Sequence, residues 1–137
     1  MGRLIMIERF FHIKKYDWNI TIYYNATCDD AEEILNILNL FEINESLKKE
    51  VRSILYRCLP NVGFTYTNTF LKETVIVIGQ ASSFDEFLNT LTHENMHSVM
   101  HITESYDISP YSEEPCYLLG ELIQHEAGII KKIVCNN

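Results

Sequence analysis

Residues 83–102 read SFDEFLNTLTHENMHSVMHI and predict one amphipathic helix. Ser83, followed three residues later by Glu86, forms a capping box, which marks the start of a helix. His93 and His97 lie on one side of this helix, and the opposite arc collects apolar side chains. The apolar residues are Phe84, Leu88, Leu91, Val99 and Ile102. We therefore expect the two histidines to lie outside the hydrophobic core.

The two histidines have the spacing of a metal-binding pair. Side chains four residues apart on a helix point the same way, and two imidazole nitrogens can bind one zinc ion at about 2.0 to 2.1 Å. Glu94 lies between His93 and His97 on an adjacent flank, where a carboxylate can take a proton from water. The pattern predicts a zinc site with a glutamate base. The alternative is a pair of histidines that merely face water.

A catalytic zinc ion needs a third protein ligand and an open position for water. Glu113 and Glu114 follow His97 by 16 and 17 residues and open the last predicted helix. Glu113 shares the polar side of that helix with Tyr117 and Gly120, whereas Glu114 is rotated towards the flank. Both stay candidates, and Glu113 is preferred. The structural alternative is an acidic first turn that interacts favourably with the helix dipole.

The combination of His93-Glu94-x-x-His97 with Glu113, Tyr117 and Gly120 resembles the gluzincins, the thermolysin-like clan of zinc peptidases. Residues 63–122 look like small zincin-like proteins of phages and gut bacteria. The resemblance implies a small α+β zincin-like fold, in which a short mixed sheet packs against the HExxH helix and a following glutamate-bearing helix. It also implies zinc ligands at His93, His97 and Glu113, a general base at Glu94, and hydrolysis of a peptide or protein.

Hydrolysis at such a site also requires a group that stabilises the transition state. His101 lies one helical turn beyond the pair, on the same flank as Glu94, although a residue so placed is more often polar surface. Tyr106, Tyr111 and Tyr117 are near enough in sequence to donate to an oxyanion. The sequence does not choose among these four side chains.

Two neighbouring segments predict strands of different exposure. Residues 63–68 alternate large and polar side chains, as a half-exposed edge strand does, whereas residues 74–78 form the continuous run of a strand covered on both faces. An extended peptide can add main-chain hydrogen bonds to an open edge. The predicted substrate edge consists of Gly63, Phe64, Thr65, Tyr66, Thr67 and Asn68.

The other predicted elements complete a single minimal domain over residues 1–137. They follow from aromatic and β-branched runs and from capping residues. They are a strand over 18–24, a helix over 29–40 capped by Thr27, a helix capped by Asn44 and closed by Pro60, and a last helix from about Glu113, capped by Ser112, into 129–134.

Composition and charge argue against several classes of function and location for this chain, beginning with nucleic-acid binding. The chain has 19 acidic and 11 basic residues, a net charge of −8, and its lysines form only pairs, so nucleic acid is not an expected partner. No apolar run reaches 18 residues, and Glu8 interrupts the first apolar patch, so neither a membrane span nor a signal peptide is expected. These features predict a cytoplasmic protein.

The cysteines lack a Cys-x-x-Cys pair and are expected to be core thiols. They are Cys28, Cys58, Cys116 and Cys135.

The same fold also allows a second class of function. A zincin-like domain can serve without turnover as a structural or binding component that assembles with other proteins, for example in a phage particle.

Overall fold

The computed structural model describes residues 5–135, which form a four-stranded sheet and four helices. In chain order the elements are β1 (Ile7–Ile13), β2 (Trp18–Ala26), α1 (Ala31–Asn39), α2 (Glu45–Tyr56), β3 (Gly63–Asn68), β4 (Glu73–Gly79), α3 (Phe84–Ser105) and α4 (Glu114–Cys135). Short 3₁₀ turns span Lys14–Tyr16 and Cys28–Asp30. The predicted α+β class is confirmed.

The strands lie in the order β1-β2-β4-β3. β2 and β4 run parallel, and the two outer strands each pair antiparallel with their neighbour, so the sheet is mixed. β3 is therefore an edge strand and β4 an inner strand, as the two exposure patterns predicted. β1 forms the other edge of the sheet.

Each face of the sheet carries its own hydrophobic core, because successive strand residues point to opposite faces. Ile76 and Ile78 of β4 pack in the core formed with α3 and α4. Val75 and Val77 pack in the core formed with α1 and α2. This burial on both sides explains why β4 is a continuous apolar run.

The predicted caps largely define the helix starts. Asn44 Oδ1 accepts from Leu47 N at 2.8 Å, and Ser83 Oγ accepts from Glu86 N at 3.2 Å. The predicted cap at Ser112 is wrong, because α4 begins at Glu114. The Ser112 hydroxyl instead donates to the Ser109 carbonyl at 2.7 Å within the preceding turn.

The expectation of four core thiols is also wrong. Cys28 and Cys58 form a disulfide with their Cα atoms 4.9 Å apart, and Cys116 and Cys135 are exposed thiols. The reason is topological. α1 and α2 form an excursion between β2 and β3, and the two bonded cysteines flank that excursion, so they meet where the chain returns to the sheet.

No helix in the part of the chain described here is long and apolar enough to cross a membrane.

Candidate functional site

The site is built where the edge strand β3 lies alongside α3. A Cβ atom on Gly63 would lie 2.8 Å from Thr90 Cγ2 and 3.1 Å from Glu94 Cγ, so only glycine allows this approach without displacement. Further along β3, the hydroxyls of Thr65 and Thr67 contact α3 residues. Residues 63, 65 and 67 thus present one face of the strand to the helix.

His93 and His97 project from α3 beside this strand, outside the core. Their Nε2 atoms are 3.1 Å apart, and the rings meet edge to face with centroids 4.8 Å apart. Two nitrogens bound to one tetrahedral zinc ion at about 2.0 to 2.1 Å are separated by about 3.3 Å. The observed pair fits one ion after a shift of a few tenths of an ångström.

Glu94 is the buried member of the motif, only 5% exposed, because β3 covers it. Its Oε1 atom accepts a hydrogen bond from Thr65 Oγ1 at 2.9 Å, and its Oε2 atom lies 3.9 Å from His93 Nε2. One carboxylate oxygen is therefore fixed by the strand while the other lies next to the histidine. This arrangement suits a base that takes a proton from water held between them.

His101 is held by a hydrogen-bond chain that reaches into the core. Trp18 Nε1 donates to Thr74 Oγ1 at 2.8 Å, Thr74 Oγ1 lies 3.0 Å from Thr67 Oγ1, and Thr67 Oγ1 lies 2.8 Å from His101 Nδ1. Burial, and secondly the nearby His97, lower the pKa of His101. The imidazole is therefore neutral near pH 7.

The direction of this chain fixes the tautomer of His101. An indole N–H only donates, so the buried Thr74 hydroxyl accepts from Trp18, and Thr67 Oγ1, 3.0 Å away, is the neighbour that can accept its own proton. With this donor order, the proton of the Thr67 hydroxyl points to His101 Nδ1, 2.8 Å away. We infer that the His101 proton is on Nε2, which leaves a neutral N–H donor on the side of α3 that carries the pair.

The side chain of Asn95, which lies between Glu94 and His97 in the chain, points away from the histidines and towards α4. Its Nδ2 donates to Glu126 Oε2 of α4 at 2.5 Å, and Tyr24 OH donates to Glu126 Oε1 at 2.8 Å. Burial raises the pKa of Glu126 to about 7, against the two hydrogen bonds, which lower it. Within residues 5–135, Asn95 Oδ1 is buried without a hydrogen-bond partner. This network joins α3 to α4 and β2 on the flank away from the histidines.

The two glutamates predicted as the third ligand lie elsewhere. Glu114 accepts from Lys15 Nζ and Tyr16 OH, both at 2.6 Å, and these residues form the turn between β1 and β2 at the sheet edge opposite β3. Glu113 is exposed and directly precedes α4. Over residues 5–135, no group of three or more His, Cys, Asp or Glu side chains is arranged to hold a metal ion. The structure brings His93, Glu94 and His97 together. It does not bring Glu113 or Glu114 to them.

The three predicted oxyanion donors also differ in their surroundings. The Tyr106 hydroxyl donates to the Tyr16 carbonyl at 2.6 Å, so its proton is already used near the β1–β2 turn. Tyr111 and Tyr117 are exposed by 96% and 68%. His101 lies next to the pair, with its ring centroid 6.1 Å from that of His97.

Sequence reasoning did not find the roles of Thr65, Thr67 and Thr74. A signal for the first two was present, because threonines at alternate positions of an edge strand share one face. Their partners are about 30 residues away in the chain, and only the packing of β3 on α3 identifies them.

Comparison of the chain with protein-family models, curated proteins and solved structures gave no match.

Proposed function

We propose that the protein is a zinc-dependent hydrolase that cleaves peptides, with His93 and His97 as metal ligands and Glu94 as general base. The observation that carries the proposal is the 3.1 Å separation of the two Nε2 atoms beside a buried carboxylate. Two histidines that merely faced water would not need a carboxylate fixed next to them by the neighbouring strand.

A zinc ion at this pair would supply a Lewis acid that polarises a carbonyl and lowers the pKa of water towards about 7. Glu94 accepts the proton of the attacking water and passes it to the leaving group. Thr65 keeps the carboxylate in place throughout, since its hydroxyl bonds Oε1 and leaves Oε2 towards His93. The open edge of β3 holds an extended peptide by main-chain hydrogen bonds.

A second candidate is a zincin-like component that binds other proteins without turnover, for example in a phage particle. Two observations favour it. A catalytic zinc ion usually has three protein ligands, and only two are brought together among the described residues. The Cys28–Cys58 disulfide is also more typical of proteins outside the cytoplasm. Under the first candidate we propose a cytoplasmic location, and under the second a place in the virion.

Zinc affinity tests the site without relying on activity. We expect wild type to bind one zinc ion per chain in a chelator-competition titration, and His93→Ala or His97→Ala to lose binding. His12→Ala is the matched control, because His12 is exposed on β1, at the opposite sheet edge. Equal affinity in wild type and both site variants would refute the metal site.

A further inference from the structure

A cavity of about 390 Å³ opens directly beside His93 and Glu94, at the start of β3. Ligand-binding clefts of proteins occupy about 300 to 1,000 Å³, so this space can take part of a peptide. One wall is α3, with Glu86 and Thr90 as well as the two motif residues. The other wall is the end of α2 and the segment that leads into β3.

The α2 wall combines apolar side chains with one cation. Ile54, Leu59 and Val62 provide its apolar surface, and Arg57 is the only lysine or arginine that lines the cavity. Throughout residues 5–135, no carboxylate forms an ion pair with Arg57. Within residues 5–135, Arg9 and Arg52 form no ion pair with a carboxylate either, so what distinguishes Arg57 is its position in the cavity.

The acidic groups of the cavity lie on the opposite wall and are otherwise engaged. Glu94 is hydrogen-bonded to Thr65. Glu86 lies in the first turn of α3, where the helix dipole favours its charge. The cavity is therefore polarised, with its negative charges on α3 and its positive charge on α2.

The α2 wall, which carries Arg57, is held in place from both ends. The disulfide fixes Cys58, the next residue along the chain. Asn61 N donates to the Gln80 carbonyl at 2.9 Å, and the Asn61 side chain exchanges two 2.9 Å hydrogen bonds with Ser82. A wall held in this way loses little freedom when a ligand binds.

We propose that this cavity is a substrate subsite that selects a carboxylate, which the Arg57 guanidinium binds. Guanidinium groups bind carboxylates through two parallel hydrogen bonds, a geometry that a lysine ammonium does not offer. The carboxylate comes from an Asp or Glu side chain or from the C-terminus of a peptide. This inference rests on the proposed hydrolase function, because it assigns the cavity to the substrate of that site.

Peptide binding tests the subsite separately from turnover. Fluorescent peptides with Glu, Gln or Lys at one position, each with a free or an amidated C-terminus, are titrated against the Glu94→Gln protein. We expect the carboxylate-bearing peptides to bind about tenfold more tightly than their neutral counterparts, and this preference to weaken at high salt. Loss of the preference on amidation identifies the C-terminus as the source, and its retention identifies the side chain.

Charge substitutions at Arg57 provide the decisive comparison. Arg57→Gln should abolish the preference for a carboxylate, and Arg57→Glu should reverse it in favour of Lys. Arg52→Gln is the matched control, since Arg52 lies on α2, five residues before Arg57, and outside this cavity, and it should bind as the parent does. A preference that survives in Arg57→Gln, or no peptide binding by any variant, would overturn the subsite. Binding with the expected preference but no cleavage by the protein with Glu94 intact would overturn only the hydrolase function.

Discussion

The Thr65 hydroxyl lies 2.9 Å from Glu94 Oε1 and 3.2 Å from the Glu94 carbonyl oxygen, so a single edge-strand residue fixes the proposed base. Thr65→Val should therefore lower kcat by about tenfold to a hundredfold, the value of a hydrogen bond to a charged group. Zinc affinity should stay unchanged, since the ligands are not touched. Thr65→Ser, which keeps the hydroxyl, should recover most of the rate. An unchanged kcat in the valine variant would show that Thr65 does not position the base.

The hydrogen-bond chain predicts the protonation state of His101. In ¹⁵N NMR spectra near pH 7, we expect Nε2 to carry the proton and Nδ1 to be the acceptor nitrogen. Thr67→Val should remove this bias and lower kcat, whereas Thr67→Ser should keep both. Detection of the Nδ1–H tautomer in wild type would contradict the donor order inferred from Trp18.

Glu126 should make stability depend on pH. Its pKa is about 7 in the folded protein and near the ordinary 4.5 in the unfolded chain. The folded state therefore holds the proton more tightly, so the stabilisation is full below about pH 4.5 and is lost as the pH rises through 7. The difference corresponds to about 3 kcal/mol in the free energy of unfolding.

Urea titrations of wild type and Glu126→Gln at pH 4.5 and pH 8 measure this contribution. Glutamine imitates the neutral acid. The free energy of unfolding of wild type, measured relative to that of the variant, should therefore be lower at pH 8 than at pH 4.5. An equal difference in unfolding free energy at both would show that Glu126 does not titrate in this range.

Conservative substitutions test whether Glu113 or Glu114 serves as a third metal ligand. In the structure Glu113 is exposed and Glu114 is bound to Lys15 and Tyr16. We therefore expect Glu113→Gln and Glu114→Gln to keep the zinc affinity of wild type within about threefold, less than the tenfold or more that is lost even when a group supporting a ligand is changed. A large loss in Glu113→Gln alone would mean that the start of α4 reaches the histidines when zinc binds, as the likeness to gluzincins implies.

Local patterns were sufficient for the elements that carry the site. The apolar period and the Ser83 cap predicted α3, and with it the common side of His93 and His97. Alternation and a continuous apolar run distinguished the edge strand β3 from the inner strand β4. These signals are readable because each depends on residues that are close together in the chain.

The remaining features depend on residues far apart in sequence. β1 was missed because its outward side chains, such as Glu8, interrupt the apolar run. The Cys28–Cys58 bond and the Lys15–Glu114 pair join residues 30 and 99 positions apart, so only the topology brings them together. The orientation of α4 could not be predicted from the sequence for the same reason. Its polar side faces solvent, and its start lies beside β1 and β2.

The central claim is that Glu94 activates water at the His93–His97 pair. Its most direct test compares wild type with Glu94→Gln for zinc content and for cleavage of an unfolded protein or a peptide library. Glutamine keeps the shape of the side chain and removes the base, so both proteins should bind zinc. Only wild type should cleave at an appreciable rate, because a general base is worth about 10²- to 10⁴-fold. Equal cleavage by the two zinc-loaded proteins, or zinc binding without cleavage by wild type, would contradict the account.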